Sequence, residues 1–105
     1  MRSSLSALLA AVLILLAGCS ASLYIPGDDD VSPAASKEEL LAGRTLYVER
    51  CGSCHMLRLP ESHTRAEWEF HLRTMAPRAR LTDAEEELIA KFLVAGTERA
   101  YRTPK

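Results

Sequence analysis

At Cys51-Gly52-Ser53-Cys54-His55 two thiols flank two small residues, and an imidazole follows the second thiol at once. No other stretch constrains the fold as much, because this is the attachment sequence of a c-type haem. The two sulfurs add across the haem vinyl groups, and the adjacent histidine falls under the iron as proximal ligand. Gly52 and Ser53 suit a tight turn lying close to the porphyrin. Cys51, Cys54 and His55 are therefore the expected binding residues for one covalent haem c. Three other uses of the thiols stay open. A thioredoxin-like pair normally sits beside a βαβ pattern, and this chain has no alternating strand run. A zinc site completed by His63 and His71 would need spacings that neither histidine has. A plain structural disulfide is the third.

The 105 residues allow one domain, and the formal net charge of -1 gives no reason to expect nucleic acid as a partner. Residues 1–18 have the pattern of a secretion signal. Arg2 supplies the positive start, and Leu5 to Ala17 is an apolar run of 13 residues with one serine. That run is too short to span a bilayer and suits a signal's apolar segment. Leu16-Ala17-Gly18-Cys19 resembles a bacterial lipobox, which implies cleavage before Cys19 and a diacylglycerol thioether on its sulfur. The alternatives are an ordinary secretion signal or an uncleaved anchor. Lipidation would hold the chain on the periplasmic side of a bacterial membrane. Ser20 stands where an aspartate would indicate inner-membrane retention, which points to the outer membrane by analogy with Gram-negative sorting.

Residues 19–36 are expected to be the lipidated cysteine and a flexible tether. Ser20 to Ser36 contains Pro26, Gly27, three consecutive aspartates and Pro33, with no apolar period. Fully extended it would reach about 55 to 60 Å, and as a coil roughly 20 to 25 Å. The aspartates are assigned nothing beyond solvation. What remains, 37–105, is roughly 70 residues, a size at which an apolar core alone is marginal.

Three capping boxes announce three helices: Ser36-Lys37-Glu38-Glu39, Thr64-Arg65-Ala66-Glu67 and Thr82-Asp83-Ala84-Glu85. The first helix is predicted from Lys37 to Glu49, with Leu40, Gly43, Leu46 and Tyr47 along one side. The second is predicted from Arg65 to Met75, ending because Pro77 disfavours helix at Ala76. The third is predicted from Asp83 to Ala95 with Gly96 as terminator and a fraying tail beyond. Its buried stripe is Leu88, Ile89, Phe92 and Leu93, with Leu81 packing ahead of it.

Gly43-x-x-Leu46-Tyr47-x-x-x-Cys51-x-x-Cys54-His55 resembles the first helix and haem motif of class I cytochromes c. Met75-x-Pro77, then Leu81-Thr82-Asp83 and Ile89-x-x-Phe92-Leu93, resembles the methionine loop and last helix of that family. The resemblance covers about 36 to 96. It implies an all-α fold, a small cytochrome c-like bundle of about three helices packed around a covalent haem. It also implies that Gly43 and Tyr47 meet Phe92 or Leu93 where the first and last helices cross. Pro60 resembles the family's proline whose carbonyl accepts from the proximal histidine. The chain departs from the family in having only 20 positions from His55 to Met75.

Met75 is the first choice of sixth ligand, with His71 and His63 as alternatives. Trp68, His71, Leu72 and Met75 fall at i, i+3, i+4 and i+7, so one face of the second helix is expected to cover the haem. Trp68 is expected to pack on the porphyrin. Arg73, Arg78 and Arg80 surround Met75 and would steer an acidic redox partner, although a solvated helix end is the plainer account. The function implied is a membrane-tethered electron carrier between a redox donor and an acceptor. It is not expected to be an enzyme in itself, though it could serve as the cytochrome subunit of an oxidoreductase. Two alternatives are a haem-based gas or redox sensor with a displaceable sixth ligand and a haem-free lipoprotein adaptor.

Overall fold

A computed structural model describes residues 4–9, 22–53 and 55–102. Cys19 and Cys54 lie outside the described residues. Those described are all-α: α1 is Lys37–Leu46, α2 is Arg65–Met75 and α3 is Asp83–Arg102, with one π-helical turn and two short 3-10 turns between or before them. No strand occurs among the described residues, where a single isolated bridge pairs Ser32 with Ala35. Residues 4–9 are helical, with Leu5, Leu8 and Leu9 exposed. No described helix is long and apolar enough to cross a membrane.

Each helix begins where its cap predicts. The Ser36 hydroxyl accepts from the Glu39 amide at 3.2 Å, and the Ser36 amide donates back to the Glu39 carboxylate at 2.9 Å. Thr64 and Glu67 repeat the exchange at 3.3 and 2.7 Å. The third box is half made. Thr82 accepts from the Glu85 amide at 3.2 Å, but the Glu85 carboxylate turns to the Thr82 hydroxyl and, 3.2 Å away, to Arg50.

The core lies where α1 crosses α3. Leu40, Ile89, Phe92 and Leu93 are fully buried. Gly43 is the point of closest approach: a Cβ there would run into the Leu88 carbonyl and come within 2.9 Å of Phe92 Cβ. Tyr47 packs on Phe92 with ring centroids 5.9 Å apart. Past Leu46 the helix does not run on to Glu49 as predicted but widens into a π turn, Tyr47–Cys51. α2 ends at Met75 as expected. Ala76 nonetheless keeps helical dihedrals, and the chain turns over Ala76 to Arg80, closed by Leu81 N donating to Ala76 O at 3.0 Å. Arg80, at φ 55°, takes the left-handed position of that turn.

Two further sequence expectations are overturned. Gly96 does not stop α3, which continues to Arg102 with Gly96 and Thr97 buried inside it. The glycine is there because a Cβ would stand 2.5 Å from both Pro60 Cβ and the Tyr24 ring. Its small size admits two crossing segments, so a terminator signal was in fact a packing signal.

The segment expected to be a loose tether is folded onto the helices from Leu23 onward. The Tyr24 ring stacks flat on Phe92 at 4.8 Å, and its hydroxyl donates to the Phe92 carbonyl at 2.6 Å. Burial pushes the Tyr24 phenol well above its ordinary range. Arg44 on α1 donates to the carbonyls of Tyr24 and Leu23. Asp28–Asp30 forms a 3-10 turn that buries Asp30. The Asp30 carboxylate, its side chain 2 % exposed, takes Arg99 at 3.1 Å, Arg102 at 3.0 Å and the Gly27 amide at 2.8 Å. A carboxylate can be buried when it is paired and hydrogen-bonded on both oxygens. One of the three aspartates is therefore a structural anchor, and the folded unit starts near residue 23 rather than 37.

Candidate functional site

Cys51 ends the π turn, half-buried, and the chain then passes through Gly52 and Ser53 to His55. A Cβ at Gly52 would lie 2.6 Å from the Val48 carbonyl, which explains the small residue in this turn. The loop returns to the core by two anchors. The buried Tyr47 hydroxyl donates to the Arg58 carbonyl at 2.6 Å, and burial pushes its phenol up to about 12. Pro60, fully buried, opens a 3-10 turn, and its carbonyl accepts from Trp68 Nε1 and the Thr97 hydroxyl, each at 2.8 Å, and from the His63 amide at 3.4 Å.

His55, the donor expected from the family resemblance, is not among the partners of this carbonyl here. His55 Nδ1 instead lies 3.0 Å from the Met56 carbonyl, with the ring largely exposed. Pro60 ties the loop to α2 and α3.

Between this loop and α2 lies a cavity of about 800 Å³. That is within the ~300–1,000 Å³ typical of ligand clefts. Cys51 and His55 stand on its loop wall, while Trp68, His71, Leu72 and Met75 all line it from α2, as their helical spacing predicts. Tyr47 and Leu93 close its floor from the core. Trp68 is buried, packs edge-on against Tyr47 and His63, and is fixed by its bond to Pro60. His63 and His71 come together, rings 4.8 Å apart, on the same side. His63 Nε2 is buried with no hydrogen-bond partner in the structure, an orphan polar atom in a cavity wall. Among the described residues no three His, Cys, Asp or Glu side chains gather as a metal-ion cage.

Of the cations singled out in the sequence, Arg78 lines the cavity and Arg73 and Arg80 do not. Arg50 and Arg58, which sequence reasoning passed over, do line it. Both lie beside the attachment motif, and their proximity to Cys51 was the available signal. The arrangement fits a porphyrin in chemistry. A thiol and an imidazole face a thioether and two further imidazoles across an apolar hollow, with three guanidinium groups able to meet two carboxylates. Comparisons with protein-family models, with curated proteins and with solved structures found no match to the chain.

Proposed function

We propose that the chain is a membrane-tethered, monohaem c-type cytochrome that carries single electrons between a redox donor and an acceptor on the periplasmic side of a bacterial membrane. The observation that carries this reading is the shared cavity: Cys51 and His55 on one wall, and Met75, His71 and His63 on the other. Haem supplies reversible one-electron chemistry at its iron. In this reading Cys51 and Cys54 hold the cofactor through thioethers and His55 gives the proximal imidazole. Met75 gives the sixth ligand, whose soft sulfur favours the ferrous state and raises the potential. Tyr47, Trp68, Leu72 and Leu93 exclude water. Arg50, Arg58 and Arg78 neutralise the cofactor's carboxylates, and Arg78 with Arg73 and Arg80 gives a positive face for an acidic partner. Electron transfer without ligand exchange needs little rearrangement, which suits a carrier better than an enzyme.

A second reading, a sensor with a displaceable sixth ligand, is favoured by one observation: Met75, His71 and His63 crowd the same wall. Carbon monoxide binding to the reduced protein at neutral pH separates the two readings. The main test is a reduced-minus-oxidised spectrum, extended to the near-infrared, of protein made in a host that matures c-type cytochromes. A haem spectrum with a weak sulfur-to-iron band supports Met75 ligation. A colourless protein sinks the proposal.

A further inference from the structure

Beside the haem-attachment loop runs a second, shallower groove, lined by Leu23, Val48, Gly52, His55, Met56, Leu57 and Leu59. It shares His55, Met56 and Leu57 with the main cavity, so it adjoins the cavity mouth. Met56 is 90 % exposed and Val48 40 %. Both put apolar side chains on the open surface beside the cavity mouth. The N-terminal segment reaches that face at Leu23 and is fixed there. Arg44 holds the Leu23 and Tyr24 carbonyls, Tyr24 stacks on Phe92, and Asp30 is clamped by Arg99 and Arg102.

We infer that this groove lies against the bilayer surface and that the mouth of the site is thereby held at the membrane. The inference rests on the proposed lipidation of Cys19. Three peptide units separate Cys19 from Ser22, and an extended chain gains at most about 3.6 Å per residue, so the Cα of the acylated residue stays within roughly 11 Å of that of Ser22. The leash is this short because the 17-residue tether expected from Ser20 to Ser36 is mostly used up in packing. A lipid anchor on so short a lead cannot let the domain turn an arbitrary face to the membrane. It presents the surface around Leu23, and that surface is the apolar groove. Partners embedded in or moving along the membrane then meet the site directly.

The test is amide hydrogen exchange of acylated holoprotein on vesicles of phosphatidylethanolamine and phosphatidylglycerol, against Cys19→Ala holoprotein in buffer. Exchange across residues 48–59 should slow severalfold on vesicles, while 97–102 is unchanged. An insert of about 15 Gly and Ser residues after Ser20, reaching roughly 20 Å as a coil, should abolish the protection without altering the haem spectrum. Val48→Glu should weaken it, again with an unaltered spectrum. Acylated protein whose 48–59 segment exchanges equally fast on vesicles and in buffer overturns the placement alone. So does protection that survives the insert. Mass spectrometry showing no diacylglycerol on Cys19 overturns the anchor and the placement together.

Discussion

On one face of α3, Gly43, Gly96 and Tyr24 bring α1, the Pro60 turn and the N-terminal segment into van der Waals contact with it. On the other, α2 and the Cys51–Arg58 stretch stand apart around about 800 Å³ of space. The first side is closed with small residues, a flat aromatic stack and a doubly paired carboxylate. The second is lined by sulfur, imidazole and guanidinium groups. A chain this small concentrates its closest contacts on one side. Pro60 joins the two: its carbonyl takes Trp68 from the hollow side and Thr97 from α3.

On the haem proposal, the contrast breaks most visibly if the cofactor is withheld. In the double variant Cys51→Ser, Cys54→Ser, amides of α2 should lose their exchange protection while those at the α1–α3 crossing keep it. Uniform loss across all three helices would mean that the packed side has no independent stability. Next in size, Gly43→Ala should destabilise the holoprotein by about 3 kcal/mol in urea titrations, because the added methyl meets Leu88 backbone that cannot swing aside. A variant as stable as the parent would show that the helices part without cost.

Asp30→Asn should cost about 2 kcal/mol, since it removes the buried charge on which Arg99 and Arg102 converge. The figure sits at the low end for a buried pair because both guanidinium groups are half-exposed and regain water. Limited proteolysis should then cut near residues 25–30 in the variant and not in the parent. Unchanged cleavage would leave the clamp without a role.

The smallest effect at neutral pH belongs to Tyr47, which borders both sides. Its folded pKa, about 12, lies above the ordinary 10, so the buried neutral phenol contributes stability that is complete below pH 10 and lost as pH rises towards 12. Its hydroxyl should release the Arg58 carbonyl in that window and loosen the attachment loop first. Tyr47→Phe should lose less stability than the parent over the same pH range, and an identical loss in the two proteins would count against this assignment.

Much of the hollow side was legible in the sequence. The spacing of Trp68, His71, Leu72 and Met75 fixes a helical face, and a cap at Thr64 fixes where that helix starts. The packed side was harder to read. Nothing about Asp28, Asp29 and Asp30 says which one is buried, because the partners that decide it, Arg99 and Arg102, lie about 70 positions away. Gly96 followed the local rule for helix ends, and a tertiary contact with Pro60 and Tyr24 overrode it. The bonds that Trp68 and Thr97 make to the Pro60 carbonyl likewise depend on tertiary contacts that no local pattern announces.

The π turn at Tyr47–Cys51 has a consequence for how the sequence can vary. Each residue added to or removed from a helix rotates everything after it by about 100°. Glu49, exposed on this turn, can change identity with little penalty, whereas Arg50 pairs with Glu85. The number of residues in the turn cannot change. A one-residue deletion there would swing the azimuth of the first thiol away from α2, so the length of this stretch is under tighter restraint than its composition.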